Sequence, residues 1–152
     1  MTDIDLSRED LESPEGRRSA LAKIPPKREI VKPLHAQLRE IFRHEMKFRE
    51  ALGHGSVSDD ADYFESLYHC GLLLYLVGDP RDVPPMWEAK HINMDTGCGF
   101  DAEFLVGAGV DTTITYLREN AQARIAAYLE EQELDELTEW EDFRIGYFYP
   151  EQ

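Results

Sequence analysis

Between residues 63 and 77 the chain reads YFESLYHCGLLLYLV, which is apolar on nearly every side if it is wound as a helix. A helix of that kind has no face to offer water, so it is expected at the centre of a domain, with amphipathic elements around it. Its longest apolar run, residues 71–78, is far too short to cross a bilayer, which needs about 20 residues. The polar link SVSDDAD at residues 56–62 supplies capping groups before it. After it, Gly78 can take a positive φ and Asp79-Pro80 stops the helix, because the residue preceding a proline avoids the helical region. Asp82 is then placed to cap a second, shorter helix over residues 83–90, with Pro84 and Pro85 tolerable only in its first turn.

The surrounding elements read in the same way. Pro33 suits a first helical position, and Leu34, Leu38, Ile41, Phe42, Phe48 and Leu52 recur at three- and four-residue steps up to Gly53 and Gly55. That spacing predicts an amphipathic helix of about five turns, with Arg39, Arg43, Lys47 and Arg49 on its polar face. Before it, residues 1–30 hold Pro14, Gly16, Pro25 and Pro26 with little periodicity, and are expected to form a flexible arm outside the core, with at most a short helix near residues 17–23. Residues 31–152 are then expected as a single α-helical domain. Towards the other end, Asp111 is expected to cap TTITYLREN, and a second helical stripe follows through Ala123, Ala126, Ala127, Leu129 and Leu134. The last segment, WEDFRIGYFYPEQ, mixes six aromatic or aliphatic side chains with few helix formers. It reads as an extended aromatic strap over the core or as a contact surface.

An internal echo links two of these regions. Leu76 and Leu105, Val77 and Val106, Gly78 and Gly107, Asp82 and Asp111, and Trp87 and Tyr116 all stand 29 positions apart. If the echo is a repeat, each copy is a helical hairpin that cannot bury its apolar face alone, and the two copies must stack. The run WEAKHINMDTGCGFD then becomes the connection between copies. Gly97 and Gly99 would reverse the chain, Asp95 and Thr96 would make a side-chain turn, and Asp101 would cap the helix after it.

Charge narrows the class of partner. The chain carries 31 acids against 16 bases, a net −15. Residues 1–50 are nearly balanced, with eleven bases and ten acids, whereas residues 51–152 hold five bases and twenty-one acids. Nucleic-acid binding needs clustered Lys and Arg to neutralise phosphates, so it is not expected, and a basic protein partner is the natural counterpart. Residues 130–142, EEQELDELTEWED, hold eight carboxylates and no base. They read either as a solvated face or as a docking surface built from Glu130, Glu131, Glu133, Asp135, Glu136, Glu139 and Trp140, joined by Asp59, Asp60 and Asp62 from the earlier link.

Motifs for chemistry are sparse. Five histidines are scattered without ligand spacing, and neither HExxH nor CxxC occurs, so no metal site and no cofactor are expected. No glycine-rich phosphate loop or nucleophile elbow is present. Cys70 and Cys98 form no disulfide framework, and residues 1–10 are acidic where a signal peptide would be basic and then apolar, so a cytosolic location is expected. The one crowd of reactive groups is Trp87, Lys90, His91, Asp95, Cys98 and Asp101, an alternative pocket for a small enzyme or ligand-binding domain.

The units LYLVGDPRDVPPMWEAK and FLVGAGVDTTITYLRE resemble degenerate HEAT-type helical hairpins, across residues 63–129. A short, acidic, all-helical chain of this kind is similar to the immunity proteins of bacterial polymorphic toxin systems. The resemblance implies an all-α bundle with two stacked hairpins, no enzymatic activity, and an acidic surface that neutralises a basic partner such as a cognate toxin.

Overall fold

The computed structural model describes residues 6–150, and these residues are helical throughout, with turns between the helices and no strand among them. Residues 1–5 of the expected arm lie outside the described residues. The fold divides into two units, Met1–Leu76 and Val77–Gln152.

In the first unit, α1 (Arg8–Glu12) and α2 (Pro14–Ala22) are each opened by a serine whose hydroxyl accepts a backbone N–H: Ser7 from Asp10 and Ser13 from Gly16. Residues 14–24 do not form a free arm, because Leu21 is fully buried, Ile24 nearly so, and Arg17 is 2 % exposed. Gly16 makes the close approach of α1 to α2 possible: a β-carbon there would lie 2.5 Å from the Asp10 carbonyl oxygen. A short α3 (Arg28–Val31) and a 3-10 turn at Lys32–Leu34 carry Pro33 just ahead of the long α4 (His35–Gly53).

The inner face of α4 carries the expected Leu38, Ile41, Phe42 and Phe48, and also Glu45 and Arg49. Arg49 therefore leaves the polar face assigned to it. At 7 % exposure its guanidinium lies over the rings of Phe64, at 5.0 Å, and Tyr68, at 5.9 Å, so its charge faces aromatic π-clouds instead of water. Glu45 receives a 2.5 Å bond from Arg17 Nε, which ties α2 to α4 through a buried ion pair. Asp59 accepts from the amides of Tyr63 and Phe64 at 2.8 and 3.0 Å, and so opens the 3-10 turn that leads into α5 (Ser66–Val77). Every residue of α5 from Ser66 to Leu76 is buried, Ser66 and His69 included, as a helix apolar on nearly every side requires. Cys70 Sγ donates to the Leu38 carbonyl of α4 at 3.3 Å.

In the second unit, Gly78 takes φ +76 and Asp79 accepts from Arg81 N to open a 3-10 turn at Pro80–Asp82. Asp82 stands at the N-cap position of the helix that follows, as expected, but makes no side-chain cap bond there, and Asp79 caps only the 3-10 turn ahead of it. The chain continues through α6 (Val83–Lys90), α7 (Met94–Gly99), a 3-10 turn at Ala102–Val106, α8 (Val110–Glu119), α9 (Ala123–Glu130) and α10 (Leu137–Phe148). The connection at residues 92–101 is not a plain reversal. Asn93 accepts from Thr96 N while Thr96 Oγ1 accepts from Asn93 N, and this reciprocal cap nucleates α7.

The 29-residue echo survives as touching turns. The two 3-10 segments contact each other and both contact α8, and a β-carbon on Gly78 would stand 3.1 Å from the Gly107 carbonyl oxygen. The copies are unequal, however. Where the first has a full helix, the second has only five residues of 3-10 turn, and α8 is opened by Gly109 at φ +98, with Asp111 in its first turn. The C-terminal segment is a helix, α10, where an extended strap was expected. The acidic run is likewise broken into the end of α9, a non-helical turn at residues 131–136, and the start of α10.

Candidate functional site

The site residues proposed from sequence fall in both units. Asp59, Asp60 and Asp62 belong to the first unit. Asp59 is occupied with two backbone amides, Asp60 is exposed, and Asp62 is exposed in the left-handed region at φ 57. The Asp59 carboxylate therefore does structural work and the other two face solvent.

The remaining candidates lie in the second unit, which holds five bases and seventeen acids. Glu130 ends α9 and pairs with Arg118 of α8, clamping the two helices together. Glu131, Glu133, Asp135, Glu136 and Glu139 are all exposed, on the turn that follows and the first turn of α10. Four of these five carboxylates stand on the turn and Glu139 on α10, so the acidic run does not form one continuous helix. Trp140 is not among the outward-facing groups. Its Nε1 donates to Asp101 Oδ2 at 2.9 Å, and its ring meets Phe104 edge-on at 4.8 Å.

The alternative pocket is divided among separate duties. Lys90 Nζ donates to the carbonyls of Gly97, at 2.7 Å, and Phe100, at 2.8 Å, so its charge caps the C-terminal end of α7. His91 Nδ1 lies 2.8 Å from the Trp87 carbonyl oxygen one turn back, and the two rings meet at 4.3 Å, tilted by 47°. Trp87 also meets Tyr128 edge-on at 5.0 Å. Asp95 and Cys98 are exposed. Asp101 makes no side-chain cap; its Oδ2 receives Trp140 Nε1 and, at 2.6 Å, Arg144 Nη2, which fastens α10 to the chain ahead of the 3-10 turn.

A groove of about 480 Å³ joins parts of both sets. Its lining includes Lys90, Cys98, Asp101, Glu103, Tyr128, Glu131 and Glu133. Its chemistry is anionic: four carboxylates against one ammonium that already serves two carbonyls. Burial, and then the nearby Glu103 and Asp101 carboxylates, hold the Tyr128 phenol above its ordinary value, keeping it protonated. Among the described residues no group of three or more His, Cys, Asp or Glu side chains is arranged to hold a metal ion. Nor is any helix among them long and apolar enough to cross a membrane.

Sequence reasoning missed Glu103, Tyr128 and Arg144 as members of this region. Glu103 and Tyr128 were hidden because the helix ends that bring them together depend on tertiary packing, and Arg144 because the tail was read as extended. No family model matches the chain, and no match was found among curated proteins or solved structures.

Proposed function

We propose that this chain is a non-enzymatic binding protein that neutralises a basic protein partner, acting in the cytosol as an immunity or inhibitor protein of the kind bacteria pair with toxins. The observation that carries the reading is the exposure of Glu131, Glu133, Asp135, Glu136 and Glu139, of which Glu131 and Glu133 line the anionic groove. Five exposed carboxylates, four on a turn and one at the start of α10, cost little desolvation until a partner arrives. Their field steers cationic surfaces from beyond contact distance, over a Debye length of about 8 Å at physiological salt. Complementary charge of this kind speeds encounter and sets partner choice.

The test is co-purification from the cell that makes the protein, at low and moderate salt, alongside a variant in which the five carboxylates become Gln or Asn. A stoichiometric basic protein that is released by salt and lost with the variant supports the reading. Retention indifferent to both salt and neutralisation contradicts it.

The groove favours one second reading, a small-ligand site beside Lys90, Cys98 and Asp101. It predicts a small molecule that protects Cys98 from a thiol reagent, and unchanged labelling across a metabolite panel would remove it.

A further inference from the structure

The two N-terminal helices are attached to the first unit by few apolar contacts. α1 buries no residue, and α2 buries only Arg17, Ala20 and Leu21, with Ile24 buried just beyond its end. α4 buries six residues and α5 eleven, so α1 and α2 have much the weaker apolar anchorage. Segments of that kind open locally at a lower free energy than the better-buried helices of the same unit.

Arg17 makes up for the difference. Its Nε donates to Glu45 Oε2 of α4 at 2.5 Å, its Nη1 donates to the Leu11 carbonyl of α1 at 2.9 Å, and its guanidinium lies 5.9 Å from the centre of the Phe48 ring. One side chain thus joins α1, α2 and α4. A second tie comes from Arg18, which donates to the Ala61 carbonyl at 2.6 Å and lies over the Tyr63 ring, but it is exposed, so water competes for it.

The carboxylate end of this clasp is half occupied. Glu45 Oε1 is buried and has no hydrogen-bond partner among the described residues, so an ionised Glu45 holds one anionic oxygen out of water. A proton on Oε1 removes that cost and leaves the Arg17 bond to Oε2 in place. Detachment of α2 removes it too, because the uncovered carboxylate is hydrated.

The other charged groups nearby do not relieve it. From the link, Asp59 opposes ionisation of Glu45, and its own carboxylate serves the Tyr63 and Phe64 amides. From α1, Glu12 acts on His44, beside Glu45, whose charged form is disfavoured by burial and then by Arg17 and Lys47, with Glu40 opposing them. Arg49, one turn along α4, lies over Phe64 and Tyr68, and His69 of α5 is lowered by burial alone.

We propose that α1 and α2 form a latch on α4, closed while Glu45 is protonated and loosened when it ionises, so that residues 6–24 detach as one piece while α4 and α5 stay folded. The two helices leave together because Gly16 brings α2 against Asp10 of α1 and Arg17 holds the Leu11 carbonyl. The Pro25-Pro26 pair follows directly and marks where the moving piece ends. Opening exposes Leu21 and Ile24 and the surface they cover, an apolar contact that the closed form hides. The latch goes beyond the binding reading above and stands without it.

The direction follows from linkage. The closed form keeps the Glu45 proton up to about 7, whereas the open form releases it above the ordinary 4.5, so the carboxyl's contribution to closure is complete below 4.5 and is lost as pH rises towards and through 7. Between pH 6 and pH 8 that difference makes opening about tenfold more frequent.

The experiment is amide hydrogen exchange on the full chain at pH 6 and pH 8, corrected for intrinsic rates, with and without low urea. The α2 amides should exchange through an opening that urea barely changes, while α4 and α5 stay protected, and that opening should be about tenfold more frequent at pH 8. Glu45→Gln, a neutral side chain of the same shape, should hold the opening at one frequency at both pH values. If α2 shares the protection and urea dependence of α5, release is global unfolding and the latch is overturned. Equal opening at the two pH values in wild type overturns it as well, and so does a pH dependence that persists in folded Glu45→Gln. The wild-type comparison decides alone if circular dichroism shows that variant unfolded.

Discussion

Replacing Arg17 with alanine probes how residues 14–24 are attached to the first unit. The Arg17 and Glu45 side chains are 3 % and 1 % exposed, and Glu45 Oε1 is buried with no hydrogen-bond partner among the described residues. Burial pushes Glu45 up to about 7 against the opposing pull of Arg17. At pH 8 the carboxylate is ionised and Arg17 is its counter-charge. Removing that partner forces the buried carboxyl to take up a proton, which at one pH unit above its value of about 7 adds about 1.4 kcal/mol to the loss seen at low pH. At pH 5 Glu45 carries a proton, and the variant loses only a hydrogen bond and the packing of an arginine stem, about 1–2 kcal/mol. A marginally stable domain has about 5–15 kcal/mol in all, so the pH 8 loss is a large share of it. Urea unfolding of both proteins at pH 5 and pH 8 measures the two differences, and Arg17→Met/Glu45→Leu should recover most of the stability at both. An equal penalty at the two pH values, or a penalty under about 1 kcal/mol at pH 8, would refute the reasoning and detach α2 from the core.

Further outcomes follow from the same structure. Glu45 and His69 give opposite pH slopes: the folded carboxyl keeps a proton the unfolded chain releases above 4.5, so its contribution falls as pH rises towards 7, whereas burial lowers His69 to about 4, so its contribution is lost as pH falls from 6.5 towards 4. Relative to wild type, Glu45→Gln should therefore steepen the rise of stability between pH 4.5 and 6.5, by up to about 3 kcal/mol, and His69→Leu should reverse it, as read from urea midpoints across pH. Gly78→Ala combines a positive φ with a contact 3.1 Å from the Gly107 carbonyl, and is expected to lower the melting temperature by several degrees, about 2–4 °C for each kcal/mol lost. Asp101→Ala leaves Trp140 and Arg144 without their shared acceptor and should speed amide exchange throughout α10 while leaving α4 protected. A thiol reagent should label exposed Cys98 in the folded protein and spare buried Cys70 until unfolding.

Where local rules act alone, the sequence was readable. The largely apolar run 63–77 demanded a buried helix, which forms over Ser66–Val77, the Leu38 to Phe48 spacing marked the inner face of α4, and Gly78 with Asp79-Pro80 ended α5 where expected. It misled where one polar residue changes role through a distant partner. Arg49 sits at a helix position that reads as polar, but the rings of Phe64 and Tyr68 draw it inward. Asp101 reads as a helix cap, yet Trp140 and Arg144, some forty residues on, claim its carboxylate. Those two bonds also explain the tail: weak helix formers wind into α10 because docking on Asp101 and Phe104 offsets their poor propensity. The cap that starts α7 was legible, since Asn93 and Thr96 stand at N-cap and N3, but the glycines on either side drew attention to a turn.

The most direct test of the acidic-binding account is the salt dependence of the isolated complex with the co-purified partner, measured by calorimetry for wild type and for the protein with Glu131, Glu133, Asp135, Glu136 and Glu139 neutralised. The account predicts wild-type affinity that falls steadily as salt rises, and a variant that binds more weakly with a flatter dependence. Equal affinities and equal slopes for the two proteins would contradict it.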